Sequence, residues 1–131
     1  MTLSNSREVT GKELAEMLFK SLDNKPANAY ELLDSFNVDI NISPTDDSKC
    51  RGKIKKISQW KFCFTVQDHF KSEFLLLTLL GVTIRELGFI HKPDYWHSLE
   101  PGHCLKLNKL DGVQLGQAER FAQTLVKLMA E

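Results

Sequence analysis

Trp60-Lys61-Phe62-Cys63-Phe64-Thr65-Val66, WKFCFTV in one-letter code, alternates large apolar side chains with small or polar ones. A period of two puts Trp60, Phe62, Phe64 and Val66 on one face of a strand, and that face needs a core to bury it. Upstream, Ile54 and Ile57 belong to a second strand, joined to this one by the turn at Ser58-Gln59, so the two read as an antiparallel hairpin. Further upstream, Val38, Ile40 and Ile42 alternate with Asp39 and Asn41, which predicts a short half-buried strand. The turn-rich Ser43-Pro44-Thr45-Asp46-Asp47-Ser48 separates it from the hairpin. Downstream the pattern turns helical, from Asp68 or His69 to Ile90. It is apolar nearly all round (Phe74, Leu75, Leu76, Leu77, Leu79, Leu80, Val82, Ile84, Leu87), as a helix covered on most sides must be.

The ends of the chain are helical too. Thr10-Gly11-Lys12-Glu13 has the spelling of a capping box, and Leu14, Met17, Leu18 and Leu22 follow at helical spacing. Pro26 suits the first turn of a second helix, whose buried face is Ala29, Leu32, Leu33 and Phe36 and whose left-handed stop is Asn37. The stretch from His91 to Asp111, with Pro93, Pro101 and Gly102, reads as irregular. A last helix, from about Gln114 to Ala130, buries Leu115, Ala118, Phe121, Ala122, Leu125 and Met129. The expected class is therefore α+β. A small antiparallel three-stranded sheet packs on a buried central helix, with N-terminal and C-terminal helices. Residues 10–131 form one domain behind a flexible stretch at 1–9.

Composition limits what such a chain does. Its 131 residues suffice for one core without disulfides or metals. Seventeen basic residues balance 17 acidic ones, so no global field draws the chain to nucleic acid or to anionic lipid. The uncharged run from Phe74 to Ile84 is too short to cross a bilayer. Cys50, Cys63 and Cys104 are odd in number and widely spaced, which argues against a disulfide framework. The opening MTLSNSREVT lacks the basic-then-apolar order of a signal peptide, and the expected compartment is the cytoplasm.

Val82-Thr83-Ile84-Arg85-Glu86-Leu87-Gly88-Phe89-Ile90, VTIRELGFI, stands where the central helix ends. In an H-E-x-x-H helix, histidines four residues apart grip one zinc and the glutamate activates the metal-bound water. Here Arg85 and Phe89 hold the two histidine positions while Glu86 stays. The stretch resembles the zinc helix of the ImmA/IrrE family of metallopeptidase-like proteins, R-F-T-[LI]-A-H-E-L-G-H. With one residue missing between Thr83 and Arg85, Thr83, Glu86, Leu87 and Gly88 match it and both ligands do not. Leu33-Asp34-Ser35-Phe36-Asn37-Val38-Asp39-Ile40 is similar to that family's L-G-I-x-V strand entry, and Gly52-Lys53-Ile54-Lys55-Lys56 to its glycine-led hairpin. Gln117-Ala118-Glu119-Arg120-Phe121-Ala122 is similar to its last motif, E-x-E-A-N-x-F-A, with Gln117 at the third ligand's position.

The resemblance, spanning residues 11 to 130, implies a zincin-like fold. It also implies a regulatory role at a repressor or stress switch, in a prophage or other mobile-element setting. The implied partner is another protein, with a transcriptional regulator first. The residue chemistry removes the peptidase reaction: arginine repels a cation, phenylalanine has no lone pair, and a neutral amide is a poor zinc ligand. The expected protein is a pseudoenzyme without cofactor or metal. Arg85, Glu86, Phe89 and Gln117 mark its vestigial site, where Arg85 should bond Gln117, Glu119 or Asp94. Two other classes stay open, a metal-dependent hydrolase with displaced ligands and a small nucleic-acid-associated protein.

Three further groups of residues stand out. His91, His97, His103 and Cys104 offer metal donors but match no zinc spacing. Tyr95 and Trp96, beside His97, mark either a binding surface or a lid over the core. Lys49, Arg51, Lys53 and Lys55 would share one face of a strand. They form either an anion-binding row or a charged edge that blocks aggregation, and no aromatic interleaves them to stack bases.

Overall fold

The computed structural model describes residues 10–43, 52–58, 61–67, 72–87 and 104–131. Helices α1 (Gly11–Ser21) and α2 (Ala29–Ser35) precede strands β1 (Val38–Ser43), β2 (Gly52–Ser58) and β3 (Lys61–Gln67). Then come α3 (Glu73–Leu87), the short strand β4 (Cys104–Lys106), a single 3-10 turn at Leu107–Lys109, and α4 (Gly112–Ala130).

Side chains set most of these boundaries. Thr10 Oγ1 accepts the Glu13 amide at 3.2 Å and donates to the Glu13 carboxylate at 3.0 Å, so the α1 box closes side chain to side chain. Helix α2 begins later than Pro26 predicts, because the side chain of Asn28 accepts the Glu31 amide and caps the helix there. Asn37 ends it in the expected left-handed conformation, with φ of 60°. Ser72 Oγ accepts the Leu75 amide and starts α3. A reciprocal capping box of Asp111 and Gln114 sets the start of α4 two residues ahead of the predicted position.

The sheet departs from the expected three antiparallel strands. It has four strands in the order β1-β3-β2-β4, and β1 pairs with β3 in parallel. The hairpin of β2 and β3 is antiparallel as predicted, with a bulge between Lys56 and Ser58. Alternation reports which face a side chain takes but not which way a neighbouring strand runs. The apolar β3 therefore takes an interior place between β1 and β2, instead of serving only as one arm of a hairpin. Strand β4 lies inside the stretch read as irregular, and three residues are too few for a period-two signal.

Register defines the faces. Val38, Phe62 and Lys56 form one row, and Ile40, Phe64, Ile54 and Leu105 the next. Phe62, Phe64 and Ile54 are at most 1% exposed. A side chain built on Gly52 would point at Leu79 of α3, 3.2 Å away, so this face of the sheet looks onto the buried central helix. On its other side α3 packs against α4, and α1 packs against α4 in turn. Leu14, Leu18, Leu32, Leu33, Phe121 and Leu125 complete one continuous core. No helix among the described residues is long and apolar enough to cross a membrane.

Candidate functional site

Helices α3 and α4 carry the two segments that resemble metal-binding motifs, and they meet closely. Gly81 lies one turn before Arg85, and a Cβ there would fall 2.8 Å from the ring of Phe121. The glycine lets the two helices approach until the phenylalanine, fully buried, lies against the backbone of α3. Thr83 is fully buried as well, and its hydroxyl donates back to the Leu79 carbonyl at 2.8 Å. Ala118, Phe121 and Ala122 of the segment QAERFA are buried, whereas Glu119 is half-exposed and Arg120 exposed.

Gln117 is engaged elsewhere. Its Oε1 accepts the Gly11 amide at 2.6 Å, so its acceptor satisfies one of the orphan donors at the start of α1. The helix start lies hard against α4: a Cβ on Gly11 would overlap the Gln117 carbonyl oxygen and come within 2.9 Å of the Phe121 nitrogen. Arg85 and Glu86 belong to the last turn of α3, but their side chains lie outside the described residues, as does Phe89 altogether. His91, Asp94, Tyr95, Trp96, His97, His103, Lys49 and Arg51 lie outside them too. Among the described residues no three His, Cys, Asp or Glu side chains converge as a metal site requires.

The described part of the basic row is placed clearly. Lys53 and Lys55 lie on the outer face of β2, away from α3, and β2 is not an edge strand, since β3 and β4 flank it. Edge protection therefore does not account for these lysines. Across the sheet Lys53 pairs with Thr65 and Lys106, and Lys55 with Cys63 and Cys104. Lys106 was not legible as part of this row, because β4 itself was missed. Lys61 Nζ reaches Asp39 Oδ2 at 3.3 Å on the opposite half of the sheet.

Cys63 shares this face. Burial first, then the Asp39 carboxylate, pushes its thiol above the ordinary range, against the opposing pull of the Thr65 hydrogen bond and Lys55. Its side chain is half-buried in mid-strand, and the neutral thiol is a weak nucleophile. Cys104 is exposed in β4, two strands away. Strand spacing sets these two roughly 10 Å apart, too far for a disulfide without backbone movement. A groove of about 710 Å³ opens where Lys12 and Glu16 of α1 face Arg120, Thr124 and Lys127 of α4 over Phe74. Its walls mix both charge signs. In comparisons with family models, curated proteins and solved structures, nothing matches this chain.

Proposed function

We propose that this chain is a zincin-like domain that has lost its metal and acts by contact with another protein. A transcriptional regulator governing a repressor or stress switch of a mobile element is the leading partner. The observation that carries the reading is the pairing of α3 with α4. The helix ending in T-I-R-E-L packs, through Gly81 and Phe121, on the helix carrying Q-A-E-R-F-A. A metallopeptidase of this kind would need those two helices side by side, because one supplies two ligands and the other the third.

The residues at the three ligand positions support the loss of chemistry. Arginine and phenylalanine donate no lone pair to zinc, and the amide oxygen of Gln117 already accepts from Gly11. Without a metal-bound water, Glu86 has no proton to take. Protein contact is then the function that this scaffold retains.

Zinc content tests the reading directly. The chain dialysed against zinc, then freed of loosely held metal, should retain far less than one ion and cleave no peptide. Retention of about one zinc per chain, abolished by Glu86→Gln or His97→Ala, would promote the displaced-ligand hydrolase instead.

A further inference from the structure

The lysines of the outer sheet face are unevenly placed. Among the described strand residues that face carries Lys53, Lys55, Lys61 and Lys106 against a single acid, Asp39. Asp39 pairs with Lys61 on the β1–β3 half. The β2–β4 half keeps Lys53, Lys55 and Lys106 with no acid among the described strand residues. Lys53 and Lys106 are direct cross-strand partners, so their side chains leave the sheet about 5 Å apart. Lys55 stands about 7 Å further along β2. Like charges directly opposite one another oppose folding. An anionic group laid over the pair would turn that repulsion into attraction.

Strand β2 also exposes an apolar side chain two residues beyond Lys55. Ile57, at the β2 bulge next to Lys56, is 44% exposed. Isoleucine contributes nothing to a phosphodiester backbone, and no aromatic side chain lies among the described residues of this face to stack bases. Apolar anchors ringed by charge are instead the usual anatomy of a protein interface. A net charge of zero over the chain also makes this half a local feature, not part of a global basic field.

We infer that the outer face of β2 and β4, with Lys53, Lys55 and Lys106 beside Ile57, is the docking surface for an acidic, amphipathic segment of a partner protein. The carboxylates of that segment lie over the lysines, and one of its apolar side chains covers Ile57. The inference names the surface for the protein contact proposed above and rests on that reading. Its test is independent of zinc.

The probe is a fluorescein-labelled peptide with glutamate and leucine at amphipathic helical spacing. Its controls are the same peptide with lysine replacing glutamate, and a duplex DNA of arbitrary sequence. Anisotropy titrations of the full chain should show saturable binding of the acidic peptide that weakens as salt rises. Lys53→Gln, Lys55→Gln and Lys106→Gln combined should weaken it at least about tenfold, and Ile57→Ser alone by a smaller factor. The triple variant should melt no lower than the parent, because it removes a like-charge pair. Undiminished binding by a folded triple variant, or no binding by the parent, overturns the inference. Tighter binding of the duplex, lost with the same three lysines, would assign the face to nucleic acid and overturn it equally. Each of these results leaves the zinc measurement, and so the pseudoenzyme reading, where it stood.

Discussion

Truncating Phe62 to alanine should lower the free energy of unfolding by about 3–5 kcal/mol. The ring is wholly buried in an interior strand, between Val38 of β1 and Lys56 of β2 in its row. Its loss removes the transfer energy of an aromatic side chain and leaves a cavity that an interior strand cannot collapse to fill. A domain of this size has only about 5–15 kcal/mol in hand, so the variant should sit close to the edge of folding at 37 °C. Thr65→Ala, three residues along on the outer face, should change stability by no more than about 0.5 kcal/mol. Urea melts of the two variants check the assignment of faces. Equal losses would mean that the sheet is covered on both sides.

Gly11→Ala should cost about 3 kcal/mol, the upper end of what overpacking costs, although alanine is the better helix former. The added methyl would overlap the carbonyl oxygen of Gln117, a backbone atom held within α4 that cannot rotate away. Relief requires α1 to back off from α4, and that lengthens the 2.6 Å bond from the Gly11 amide to Gln117. Gly116→Ala is the matching control. Nothing lies within 4 Å of a Cβ built there, so the exposed helical position should gain about 0.5–1 kcal/mol. Thermal melts of both variants measure the contrast. A stabilising Gly11→Ala would mean that α1 does not dock on α4 in this way.

The parts of the fold that were legible in the sequence are those written in local periodicity. The alternation of Phe62, Phe64 and Val66 and the left-handed Asn37 appear where the pattern placed them, and the all-round apolar α3 lies within the predicted span, although Ser72 starts it later than Asp68 or His69. Long-range pairing was not legible. Nothing local to Val38–Ser43 says that it runs parallel to β3, and Cys104–Lys106 is too short to alternate visibly. Helix starts moved wherever a capping side chain outweighed a rival signal, Asn28 over Pro26 and Asp111 over the first periodic residue.

The candidate site divides along the same line. Arginine, phenylalanine and glutamine at positions 85, 89 and 117 are unsuited to zinc by residue type alone. That Gln117 holds the start of α1 depends on a contact between residues 106 positions apart, which no local pattern encodes. The basic row was visible as Lys53 and Lys55, but its function as edge protection failed once β4 covered that side of β2. The like-charged partner Lys106 followed from the same missed strand.

The central claim is that α3 and α4 frame a former zinc site, and restoring the ligands tests it most directly. Arg85→His, Phe89→His and Gln117→Glu combined return two imidazoles four residues apart and a carboxylate on the facing helix. The glutamate is shared at first with the Gly11 amide, which favours an anion at the start of a helix, so the metal must compete for it. Elemental analysis of the folded triple variant after exposure to zinc should find about one ion per chain, with far less in the parent and in each single variant. A triple variant that folds as the parent does and holds no zinc would contradict the account. VTIRELGFI would then be a helix end with no metal site behind it.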